Sequence, residues 1–99
     1  MKISISKPAL QWYKNEMDLH NGDFVRLFAR YGGHSTIQQG FSLGISNEQP
    51  KDMGVHYTTD GITFFVEKDD EWYFDDYDLN IKYDNFIDGV EFEYKRPAH

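Results

Sequence analysis

Imidazoles and carboxylates are the side chains of this chain that could carry chemistry, because it contains no cysteine. Without thiols, disulfides and thiolate metal sites are excluded. Four histidines, His20, His34, His56 and His99, are scattered over 99 residues. No two stand at the spacing that brings imidazoles onto one helix face, and none sits in a known His–carboxylate metal pattern. His20 suits a helix end, His56 falls on the polar face of a strand, and His99, the last residue, is expected to lie outside ordered structure. His34 differs by its setting. Gly32, Gly33, His34 and Ser35 form a glycine-supported loop, and function concentrates on loops held by a rigid scaffold. These four residues are the candidate binding loop. His34 is the candidate metal ligand, since imidazole suits iron and zinc alike. The carboxylates Glu67, Asp69, Asp70, Glu71, Asp75, Asp76 and Asp78 form a dense acidic stretch. Oxygen clusters can bind hard cations, but the EF-hand order is absent and the stretch reads as a solvated helix face. No nucleophile motif, phosphate loop or dinucleotide fingerprint occurs. No two carboxylates are marked as a converging acid and base. The expectation is binding without catalysis, no enzyme and no resident cofactor.

The elements that must position these groups follow from periodicity. Phe24 to Tyr31 reads as a central strand, with Val25, Leu27, Ala29 and Tyr31 on an apolar face and Phe24, Arg26, Phe28 and Arg30 on the other. It runs into a Gly32-Gly33 turn, where positive φ is available. Before it, Ile3 and Ile5 mark a short edge strand. Ser6 is an N-cap for a helix with Pro8 in its first turn, running to about Leu19 and stopped by Asn21-Gly22. Its inner face is Ala9, Trp12, Tyr13 and Met17. Phe41, Leu43 and Ile45 alternate as a further strand, in which Gly44 signals a close backbone approach or a bulge. Asp60-Gly61 between Val55–Thr58 and Ile62–Glu67 is a hairpin signal. A short helix is expected near residues 70–76, with acidic residues at its start. Leu79–Tyr83 and Val90–Lys95 close the chain as two strands. The predicted core is Val25, Leu27, Ala29, Phe41, Leu43, Ile62, Phe64, Val66, Ile81, Val90 and Phe92. The fold class is α+β: small antiparallel β-sheets packed as a sandwich or partial barrel, with one N-terminal helix and one short helix.

Ninety-nine residues make one domain, and such a chain buries roughly 60–70% of its unfolded surface. Eight Phe, seven Tyr and two Trp can fill that core largely by themselves. No apolar run approaches the length of a membrane helix, and the first residues lack a signal-peptide core. A cytoplasmic protein is expected. Its formal charge of −7 argues against nucleic-acid partners, which need clustered Lys and Arg.

Laid out in order, the motifs resemble those of the HesB-like superfamily, the A-type iron–sulfur carrier fold. The resemblance runs from about Ile3 to Pro97 and makes residues 1–99 a single HesB-like domain. Ile5-Ser6-Lys7-Pro8-Ala9 is similar to the family's opening strand and helix start. Tyr31-Gly32-Gly33-His34-Ser35 resembles its strand-to-loop passage, and Gly40-Phe41-Ser42-Leu43 stands where the next aromatic strand follows. Asp60-Gly61-Ile62-Thr63-Phe64-Phe65-Val66-Glu67 and the closing pair Ile81–Asp84 and Val90–Pro97 continue it. In true carriers the passage reads Gly-Gly-Cys-Ser-Gly, and a Cys-Gly-Cys lies beyond the last strand. Here His34 takes the first position and no Cys-Gly-Cys follows. The resemblance therefore implies the scaffold, the end loop and a possible homodimer, without the cluster. The expected role is a cluster-less domain binding a protein partner or small ligand, with no nucleic acid or membrane partner. The alternative is divalent-metal (iron) binding, or an iron–sulfur assembly accessory role.

Overall fold

In a computed structural model, described over residues 1–97, the chain forms β1 (Ile3–Ile5), α1 (Lys7–Met17), β2 (Phe24–His34), β3 (Gln39–Asn47), β4 (Met53–Thr59), β5 (Ile62–Glu67), a 3-10 helix (Lys68–Phe74), β6 (Asp78–Asp84) and β7 (Gly89–Lys95). The expectation for His99 lies outside the described residues. The strands make two sheets, ordered β1-β6-β7 and β3-β2-β5-β4, and neither closes into a barrel. The α+β class and the central place of β2 hold. The all-antiparallel expectation does not: β1 pairs parallel with β6, and β2 pairs parallel with β5. Period-two alternation looks the same in either direction, so pairing sense was not readable from it.

Both sheets share one core. Val25, Leu27, Ile62, Phe64 and Val66 enter it from the four-stranded sheet, Ile3, Leu79 and Ile81 from the three-stranded one. Ala9, Leu10 and Tyr13 of α1 and Tyr73 and Phe74 of the 3-10 helix complete it. All eleven predicted core residues belong to this cluster or pack against it, with Ala29, Phe41, Leu43, Val90 and Phe92 only partly buried. Tyr31 is a correction, being 89% exposed. The pairing of β2 with β3 slips between Tyr31 and His34, so the alternation that would carry Tyr31 inward ends there.

Ser6 caps α1, its Oγ accepting from the Ala9 N–H at 3.2 Å, with Pro8 in the first turn. The stop comes earlier than Asn21-Gly22. Asp18 takes the left-handed cap at φ 52°, and Leu19 then turns into the core. Gly22 instead donates its N–H to the Gly61 carbonyl at 2.7 Å, fastening the connection to the β4–β5 turn. That turn is the expected hairpin, with Asp60 at φ 52° and Gly61 at φ 77°. Gly44 is the expected close approach: a Cβ there would sit 2.4 Å from the Phe28 ring. The second helix is a 3-10 segment two residues earlier than expected. Asp75 and Asp76 both take positive φ and end it.

Candidate functional site

The Gly32–Ser35 loop is positioned by the far end of β2. Gly32 and Gly33 belong to that strand, not to a turn. At φ 107° and 65° they form the irregularity through which His34 regains pairing with Gln39. The reversal falls on Ser35 to Gln38. The Ser35 N–H donates to the Gln38 carbonyl at 3.0 Å, and the Gln38 N–H donates to Ser35 Oγ at 3.2 Å. The Gln38 amide then donates to the Tyr73 carbonyl at 3.3 Å, tying the loop to the 3-10 helix.

The loop opens onto a pocket of about 350 Å³ lined by His34, Ser35, Thr36, Ser42, Leu43, Phe92 and Tyr94. The sequence located His34 and Ser35 but missed the opposite wall. Phe92 and Tyr94 come from β7, and the only signal for them is their inward register on that strand. Tyr94 is held by its hydroxyl contact with Tyr73 at 3.3 Å. Burial, reinforced by that contact, pushes its phenol above the ordinary range. The pocket therefore offers an imidazole, several hydroxyls and an aromatic wall, suited to hydrogen-bonding a small polar ligand or a partner's side chain. Among the described residues, no three His, Cys, Asp or Glu side chains gather around a point that could hold a metal. An iron–sulfur cluster is held chiefly by thiolates. One imidazole among hydroxyls does not fit it.

The other histidines are local. His20 Nδ1 lies 2.9 Å from the Asp18 carbonyl, and His56 Nδ1 lies 3.1 Å from that of Gly54. The acidic stretch needs a correction, because three of its carboxylates are structural. Glu67 is nearly buried and accepts from the N–H groups of Lys51 and Asp52 at 3.1–3.2 Å. Glu71 accepts from the Val55 N–H at 3.1 Å. Asp70 pairs with Arg26 at 2.8 Å, and Glu48 approaches the same guanidinium at 3.6 Å. Arg26 also lies 5.0 Å from the Phe28 ring centre. The signal for this cluster was a cation placed mid-strand between Phe24 and Phe28. The exposed rings of Tyr31 and Trp72 flank the partly buried Phe41, at 5.8 Å and 5.1 Å from it. No helix among the described residues is long and apolar enough to cross a membrane.

The profile of the family described as iron-sulphur cluster biosynthesis matches residues 1–98. A Bacillus subtilis protein named pyruvate dehydrogenase inhibitor is 50% identical over 95 residues, covering 96% of this chain and all of that protein. An uncharacterized protein of Staphylococcus saprophyticus is 36% identical over 98 residues, covering 96% of this chain and all of its own length. Among solved structures, Escherichia coli SufA, described as involved in biosynthesis of iron-sulfur clusters, superposes with a TM-score of 0.58. It shares 17% identity, over 99% of this chain and 82% of that one, a likeness of fold. On the match along almost its whole length, the chain belongs to the iron–sulphur cluster biosynthesis family.

Proposed function

We propose that this chain is a cluster-less member of its family that acts without catalysis by binding a protein partner, and that the partner is pyruvate dehydrogenase, whose activity it lowers. The observation that carries the first half is the donor set of the end loop: His34 and hydroxyls, in a chain without a single thiol. The family's scaffold is kept while the ligands a cluster needs are absent. The second half rests on the name of the Bacillus subtilis relative, which is 50% identical over 96% of this chain. The test is a steady-state assay of purified pyruvate dehydrogenase complex titrated with this protein, alongside iron and acid-labile sulfide analysis of the protein as purified. Saturable inhibition without stoichiometric iron or sulfide is the expected result. Full enzyme activity at saturating protein would overturn the assignment of the partner.

A second reading is favoured by the family match and by His34, whose imidazole can hold a single divalent iron or zinc ion. On it, the protein serves iron–sulfur assembly as a metal-binding accessory. Stoichiometric iron retained through a desalting column, and lost in a His34→Ala variant, would establish this reading over the first.

A further inference from the structure

The β6–β7 turn presents two exposed apolar side chains next to each other in sequence. Phe86 is 99% exposed and Ile87 65% exposed. Isolated exposed apolar residues are ordinary, but this pair sits on a turn fixed from three sides. Asp84 Oδ1 accepts from the Phe86 N–H at 2.9 Å. The Tyr83 hydroxyl donates to Asp88 Oδ1. The Trp12 indole N–H donates to the Asp88 carbonyl at 3.2 Å, fastening the turn to α1. Asp88 itself holds a positive φ of 48°. A fixed turn presents an aromatic side chain at little entropic cost on binding. At its base lies a groove of about 330 Å³, floored by Trp12 and Tyr83.

Charge decides the occupant. Asp84 and Asp88 bracket the apolar pair, on a chain of net charge −7. An anionic lipid surface would repel this tip, and a second copy would bring the same carboxylates to the same place. The surface that complements it is an apolar pocket on a protein, rimmed by Lys and Arg.

We propose that the Phe86–Ile87 turn is the anchor by which this chain docks on its partner enzyme, in an apolar pocket with a basic rim. The inference rests on the reading of pyruvate dehydrogenase as the partner. The experiment measures the affinity of the full chain for purified pyruvate dehydrogenase complex, comparing wild type with Phe86→Ala and, separately, Ile87→Ser. Thermal melts check that each variant is folded. Both side chains are exposed, so melting is expected to be unchanged. Phe86→Ala is expected to weaken binding at least about 30-fold, the scale of an interface hot spot. Wild-type association is expected to slow as salt is raised. Wild-type binding with no loss in either variant would overturn the anchor while leaving the partner in place. A wild-type chain that does not bind the complex would take down the partner assignment and the anchor with it. Co-sedimentation of the full chain with phosphatidylglycerol vesicles, lost in Phe86→Ala, would overturn the protein pocket in favour of a lipid surface.

Discussion

Gly61 is held to glycine chiefly by its backbone. Its φ of 77° is one that side-chain-bearing residues rarely adopt, and a Cβ built on it would fall 1.6 Å from Asn21 Oδ1. Gly61→Val should therefore cost at least about 1–3 kcal/mol from the backbone alone, read as a lowered midpoint in urea melts. His34 is tested by chemistry, not stability. One engineered thiol per chain supplies too few ligands, so anaerobic reconstitution of His34→Cys with iron and sulfide should yield no stable cluster. Visible charge-transfer absorbance co-eluting with equal iron and sulfide would show otherwise. Local chemistry of this kind was readable in the sequence. Asp60-Gly61 announced its turn, and Gly44 its close neighbour, because each requirement is set by one or two adjacent residues. The rest of the His34 pocket was not, because Phe92 and Tyr94 reach it from β7, and only the tertiary fold brings them there.

At the scale of elements, the β6–β7 pair is held by a cross-strand cluster around Glu93. Lys82 donates to it at 2.7 Å, Lys95 at 3.1 Å and Asn80 at 3.5 Å. The hydrogen bond from Lys82, then that from Lys95, draws the Glu93 carboxyl down from 4.5 to about 2. A carboxyl lowered on folding stabilises the native state above its unfolded value and loses that contribution as pH falls through the folded one. Acid melts should therefore lose stability between about pH 4.5 and 2, and Glu93→Gln should flatten that window by a small amount, the group being at the surface. Unchanged pH profiles for wild type and variant would contradict the pairing. The elements themselves were mostly legible, since each has its own cap, turn or alternation. Two features escaped. Strand direction leaves no trace in alternation, and the acidic stretch looked solvated because Arg26, the partner that draws Asp70 inward, lies far away in sequence.

Taken whole, the molecule has one core fed by both sheets and both helices, so damage in one place should be felt everywhere. Leu27, fully buried in the middle of β2, is the direct probe. Leu27→Ala should cost roughly 2–5 kcal/mol, with fluorescence and circular dichroism reporting the same transition. Separate transitions would mean that the two sheets melt independently. The parallel pairing of β1 with β6 has a consequence in time. Ile3 and Ile5 take their places beside Leu79 and Ile81, so the first strand made must wait for one of the last. At ribosomal rates of about 5–20 residues per second, that wait is roughly 4–15 s. Through it the opening segment has no strand to join, and a ribosome that stalls before β6 releases a chain unable to close its smaller sheet.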